Sequence, residues 1–252
     1  MNLSYIHYGK GEKLVFLHGY LENKFLWKDF ILNFPSFHSF CFDLPGCGES
    51  LPIENQTIDS MADAIKEMLD KLEIQKCIII AHSMGGYVAL SLSERYAEYI
   101  KGLVLLHSHP FADSEEKRKN REQEIQLIKE GKKSLLVQSF IRKLYAPNFS
   151  DNNALTLSRN MAEYTCPQGM IACLRAMATR PDRTHVLHNA TFPVLWIYGK
   201  HDQLFTAELA DNFKTNNQRV IKLSLEQAGH MGMFEATDEV VKAIKNFIML
   251  CQ

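Results

Sequence analysis

The sequence predicts a doubly wound, mostly parallel α/β sheet interrupted by one inserted helical cap. Three observations carry that expectation: short apolar runs that recur along the chain, amphipathic segments of crossover length between them, and one long helical interval without a strand. The runs are "KLVFLHG" (13–19), "FHSFCFD" (37–43), "CIIIAHS" (77–83), "GLVLLHS" (102–108), "PVLWIYG" (193–199) and "RVIKLSL" (219–225). Rich in branched and aromatic residues and apolar on both faces, they suit strands covered by helices on both sides of the sheet.

The opening "LSYIHYGKGEKLVFLHG" carries a Gly-Lys-Gly turn between two apolar runs and reads as a strand pair at the sheet edge. Residues 57–72, 84–96 and 238–250 are apolar at helical spacing and supply crossovers. The interval from His109 to Ala190 is roughly 80 residues long, where a crossover needs only about a dozen. The expected division is therefore a core of residues 1–108 and 191–252 and a helical cap of residues 109–190. Asp113 with Glu116 three residues on fits an acidic capping box at the start of the first cap helix. Ile125, Leu127 and Ile128 on its inner face are expected to pack with Phe140, Leu144, Tyr145, Met161, Tyr164, Met170 and Met177.

The 252 residues include 28 basic and 29 acidic ones, with no long run of one sign, so neither nucleic acid nor an anionic membrane surface is an expected partner. The N-terminus lacks a signal-peptide apolar region, and no stretch approaches the roughly 18 apolar residues of a membrane span. A soluble, cytoplasmic chain is expected. The six cysteines are scattered without C-x-x-C spacing and read as reduced core or near-core thiols. No internal repeat or low-complexity tract occurs, and oligomeric state stays open.

The chemistry begins at "AHSMGG", residues 81–86. A strand that runs directly into a helix forces its apex residue into an unfavourable backbone region, and small residues two places either side avoid collision. Ala81 and Gly85 occupy those places around Ser83, with alanine where glycine is usual. Four further motifs accompany it: "LHGYLENKFLW" after the first core strand, "DLPGCGES" after the second, "GKHDQL" after the fifth and "AGHMGMFE" after the sixth. With these five in order, the chain resembles the α/β-hydrolase fold superfamily over nearly all of its length.

A serine hydroxyl needs a neighbouring imidazole to take its proton, and the imidazole needs a carboxylate to orient it. The resemblance implies the order serine, acid, histidine, which selects Ser83, Asp202 and His230 as catalytic residues. Asp202 follows a strand at its carboxyl end, where such sheets place their chemistry, and His230 lies in a glycine-flanked loop. The preceding strand end reads "LLHSHP", with no carboxylate before Asp113. The resemblance also assigns oxyanion-hole N–H donors to Tyr20 and Met84, with the Tyr20 side chain as a further pocket residue.

His107 and His109 form an H-x-H pair, but no local cluster completes a metal-ligand set, so no metal is expected and a hinge into the cap is favoured. His18 and His82 read as structural or supporting residues. "DLPGCGES" lacks the third glycine and the lysine of phosphate-binding loops. Serine at the elbow argues against the aspartate chemistry of dehalogenases and epoxide hydrolases.

The expected activity is hydrolysis of a small-molecule carboxylic ester or lactone through an acyl-enzyme, with no cofactor. Looser likenesses in "HSHPFADSEEKRKNR" and "RPDRTHVL" point toward enol-lactonases and pimeloyl-carrier-protein methyl esterases. Arg142, Arg159, Arg175 and Arg180 are candidates for binding an acidic substrate or carrier. Two alternatives remain: carbon–carbon bond cleavage or elimination with the same three residues, and a ligand-sensing protein of the same fold.

Overall fold

The computed structural model describes residues 2–251. Each of the six apolar runs forms a strand, and a short opening strand makes seven: β1 (Tyr5–Tyr8), β2 (Glu12–Leu17), β3 (Phe37–Phe42), β4 (Cys77–His82), β5 (Ile100–Leu106), β6 (Val194–Gly199) and β7 (Val220–Leu225). They lie in the order β1-β3-β2-β4-β5-β6-β7, all parallel except β1. Every residue of β4 and β6 is buried, as expected of strands covered on both faces. The edge strand β7 is only partly covered, with Ile221 exposed.

The expected pairing of the first two strands does not occur. Both edges of β2 are occupied, by β3 on one side and β4 on the other, so β1 runs antiparallel to β3 with Tyr5 opposite Phe42. The Gly-Lys-Gly turn thus carries the chain past a neighbouring strand.

Helix α1 (Ile58–Lys71) starts at a reciprocal capping box between Thr57 and Ser60 and buries Ile58, Met61, Ile65 and Leu69. It packs against α2 (Met84–Arg95), which leaves β4 directly at Ser83. Five helices fill the interval between β5 and β6: α3 (Glu115–Lys129), α4 (Lys133–Leu144), α5 (Asn152–Tyr164), α6 (Pro167–Ala178) and α7 (Thr184–Asn189). After β6 come α8 (Ala207–Asn212), then beyond β7 the short α9 (Gly232–Glu235) and α10 (Thr237–Leu250). Among the described residues, no helix is long and apolar enough to cross a membrane.

Within the inserted helices α3 packs on α6, and α4 on α5. Ile125, Ile128, Leu144, Tyr145, Met161, Met170 and Met177 are buried there as expected, while Leu127 and Phe140 are half-buried. Tyr164 departs from the expectation, at 62% exposure on the last turn of α5. Asp113 does not cap α3 either. Ser114 accepts the Lys117 N–H as the cap, while the buried Asp113 carboxylate binds the guanidinium groups of Arg121 and Arg180. Capping needs only a small acceptor, so the adjacent serine frees the carboxylate for pairing. Helix α6 is held against the loop after β3, where a Cβ on Gly169 would overlap the Gly46 carbonyl. Five of the six cysteines are buried, but Cys166 caps α6 at the exposed surface.

Candidate active site

Ser83 holds φ +49° and ψ −119°, a region that disfavours any residue with a Cβ. The surroundings enforce it: Ser83 N–H donates to the Leu106 carbonyl at 3.0 Å, and its own carbonyl accepts from Ser108 Oγ at 2.7 Å and Gly86 N–H at 2.9 Å. A Cβ on Gly85 would lie 2.6 Å from the His18 carbonyl oxygen, so only glycine lets the helix begin that close to β2. The strand-to-helix corner therefore aims Ser83 Oγ outward from the carboxyl end of the sheet.

Three loops from strands distant in sequence meet at this corner. His230 Nε2 lies 2.8 Å from Ser83 Oγ, and His230 Nδ1 lies 2.6 Å from Asp202 Oδ2. The second oxygen, Asp202 Oδ1, accepts the Leu204 and Phe205 N–H groups at 2.8 and 3.0 Å, which fixes the carboxylate plane. Burial disfavours the Asp202 charge, but the neighbouring His230, its hydrogen bond and the nearby His107 N–H outweigh it and hold the acid well below the usual carboxylate range. Asp202 thus stays ionised beside His230 Nδ1–H. His230 Nε2 is then the acceptor for the serine proton.

His107 completes the acid's surroundings. Its Nε2 accepts the Gly232 N–H at 3.0 Å, so the ring proton sits on Nδ1, 3.5 Å from Asp202 Oδ2. At that separation the contact is a weak one, in which the Nδ1–H of a neutral ring points its dipole at the carboxylate. Burial lowers the His107 pKa to about 4, and the ring is neutral near pH 7. His107, Asp202 and His230 bring ligand-type atoms within 4.8 Å of one another, a cluster invisible in the linear sequence. The donor set does not fit a metal: each inward-facing atom already serves the internal hydrogen bonds or bears a ring proton. His107 and His109 are packed residues. His109 bonds Tyr87 Oη at 3.0 Å and stacks on Phe205.

A second histidine–carboxylate pair lies behind the serine. His82 Nδ1 is 2.9 Å from Glu22 Oε2 and Nε2 is 2.9 Å from the His230 carbonyl oxygen. Glu22 Oε2 also accepts the Gly19 N–H at 2.5 Å. Burial opposes both charges, yet their mutual attraction raises the His82 pKa and lowers that of Glu22. Both ring nitrogens face oxygen acceptors, so His82 carries both protons. The pair joins the loop after β2, the end of β4 and the His230 loop. His18 is neutral by contrast: burial lowers its pKa, Nε2 accepts the Leu44 N–H, and Nδ1 donates to the Gly19 carbonyl.

The Tyr20 and Met84 N–H groups donate to no protein acceptor among the described residues. The inserted helices close over this corner. His230 N–H donates to the Leu144 carbonyl at 2.7 Å, and the Glu235 carboxylate accepts the N–H groups of Ala146, Gly229 and Met231 at 2.6–3.0 Å. Beneath them is a cavity of about 330 Å³ that reaches Ser83 and His230 and is lined by Tyr20, Phe140, Met177 and Leu204. The four arginines singled out in the sequence do not line it. Arg142, Arg159 and Arg175 are exposed, and Arg180 is buried on Asp113.

Residues 13–237 match the family described as the alpha/beta hydrolase fold. The chain belongs to this family. Among curated proteins, this α/β-hydrolase is similar to the 2-succinyl-6-hydroxy-2,4-cyclohexadiene-1-carboxylate synthase of Enterobacter sp. (strain 638), with 26% identity over 77% of each chain. It is also similar to the pimeloyl-[acyl-carrier protein] methyl ester esterase of Vibrio vulnificus (strain YJ016), with 27% identity over 82% of each. Among solved structures, a thermophilic esterase from Thermogutta terrifontis superposes with a TM-score of 0.93 at 25% identity, covering 99% of this chain and 93% of that one. Family membership and the likeness to esterases over most of both chains make this protein a hydrolase.

Sequence reasoning missed Glu22, Glu235 and the position of His107 against Asp202. Glu22 had one legible signal, an acidic residue inside the apolar stretch "LHGYLENKFLW". The other two depend on loops that converge only in three dimensions.

Proposed function

We propose that this α/β-hydrolase cleaves a small-molecule carboxylic ester or lactone through Ser83, His230 and Asp202. The observation that carries this reading is the continuous chain of short contacts from Ser83 Oγ through both His230 nitrogens to Asp202 Oδ2. In the first step His230 Nε2 takes the serine proton as Oγ attacks the substrate carbonyl. The imidazolium formed lies against an ionised, buried carboxylate, which stabilises it without accepting its proton.

The tetrahedral oxyanion would be met by the Tyr20 and Met84 amides, whose lack of another acceptor leaves them available. His230 then protonates the departing alkoxide, and a water activated by the same imidazole releases the acid and frees Ser83. No step calls for a cofactor. Residues 109–190 act as a cap over the scissile bond, with the bond between His230 N–H and Leu144 tying that cap to the base.

Carbon–carbon bond cleavage or elimination by the same residues is the second reading. The likeness to a protein named a cyclohexadiene-carboxylate synthase favours keeping it, because it is as similar as the esterase. Turnover of p-nitrophenyl acetate and butyrate, abolished by Ser83→Ala, is the expected result. Inert esters combined with turnover of vinylogous diketones would sink the esterase reading.

A further inference from the structure

The lining of the Ser83 cavity is unbalanced in charge. Lys117, Arg121 and Lys143 face it against a single carboxylate, Glu124. The pair behind this layer does not restore the balance, since Asp113 is bound by both Arg121 and Arg180. Lys117 Nζ donates only to the neutral Leu204 carbonyl at 3.1 Å, and among the described residues neither Lys117 nor Lys143 has a carboxylate within ion-pairing distance. Tyr20 Oη, in the same lining, is buried with no hydrogen-bond partner among the described residues.

Such an arrangement carries an electrostatic cost of its own. Lys117, half-buried and without a counter-charge, is repelled by its neighbour Arg121, and Lys143 adds a positive charge at the exposed rim. A buried hydroxyl without a partner forfeits a hydrogen bond. Burial lowers the Lys117 pKa, and burial raises that of Glu124, which weakens the one lining negative charge. An ionised acidic group on the substrate would relieve both penalties.

We infer that the substrate carries, besides its scissile ester or lactone, an ionised carboxylate held by Lys117, Arg121 and Lys143 under the inserted helices. This rests on the proposed ester chemistry at Ser83 and specifies its substrate class. A cavity of about 330 Å³ limits that class to small molecules. The carboxylate belongs to the acyl or the alcohol portion, and the test covers both.

Two matched pairs differ only in one ionised group: p-nitrophenyl hemiglutarate against its methyl-capped analogue, and the butyrate ester of 4-hydroxybenzoate against that of methyl 4-hydroxybenzoate. In one pair the ionised member should have a kcat/KM about tenfold or more above its neutral partner, chiefly through KM. The preference should shrink with added salt. Lys117→Gln with Lys143→Gln should bring the ratio toward one, and Glu124→Gln should raise it. No preference in either pair, or a preference untouched by the double lysine variant, would overturn the inference while leaving the esterase reading intact. Should every ester prove inert, calorimetry of glutarate binding to the Ser83→Ala protein probes the subsite without turnover. Millimolar binding abolished in the lysine variants supports the anion subsite, and no binding to the parent overturns it.

Discussion

Two histidine–carboxylate pairs meet at Ser83, built from the same side chains and put to different ends. In the pair that faces the cavity, His230 has one nitrogen on Asp202 and the other on a hydroxyl that can itself donate. In the pair behind, His82 has one nitrogen on Glu22 and the other on a carbonyl oxygen that can only accept. His230 Nε2 therefore faces a hydroxyl that can hand it a proton, whereas both nitrogens of His82 face acceptors that favour the imidazolium. The partners of the second nitrogen, more than burial, distinguish the histidine we propose for the chemistry from the one that joins the loops.

Breaking each pair should separate these roles. The largest expected effect is on turnover: His230→Gln should lower kcat by about 10⁴-fold or more while leaving the unfolding midpoint nearly unchanged. Glu22→Gln should do the reverse. It leaves a buried imidazolium without its counter-charge, so chemical denaturation should report a loss of about 3–5 kcal/mol, with a smaller fall in kcat than His230→Gln causes. Equal catalytic losses in the two variants would contradict the division of labour.

The smallest effect lies in the pH dependence of stability. His18, His107 and His109 have folded-state pKa values below the unfolded 6.5, so as pH falls the unfolded chain takes up protons first. Their contribution is present above pH 6.5 and lost toward the folded values, about 4 for His107. His82, raised by Glu22, has the opposite sign: its contribution is complete below pH 6.5 and is lost as pH rises through the folded value. His107→Asn should flatten the acid-side fall by up to about 1.4 kcal/mol per pH unit. Unfolding curves of the two proteins that stay parallel between pH 6.5 and 4 would contradict the neutral assignment of His107.

The same contrast explains what the sequence made legible. The central strands were readable because burial on both faces writes itself as continuous apolar runs, the partly covered β7 because it is rich in aliphatic residues, and the crossover helices because their apolar residues recur at helical spacing. Ser83, Asp202 and His230 were readable because each sits at a strand end in a local motif. Glu22, Glu235 and the contact between His107 and Asp202 were not, since each joins segments brought together only by the sheet. The pairing of β1 with β3 was lost for a related reason: strand neighbours depend on which edges are already occupied. Charge in the inserted helices was read by residue type, which drew attention to arginines that fold outward or onto Asp113, while Lys117, Arg121 and Lys143 line the cavity.

Activation of Ser83 by His230 can be read without any substrate, from covalent capture of the serine by a fluorophosphonate probe. Folded protein should be labelled at Ser83, identified by peptide mass spectrometry, with labelling lost in Ser83→Ala, strongly slowed in His230→Gln and retained in folded Glu22→Gln. A folded wild-type protein that stays unlabelled, or one labelled at the same rate without His230, would show that Ser83 is not a His230-activated nucleophile.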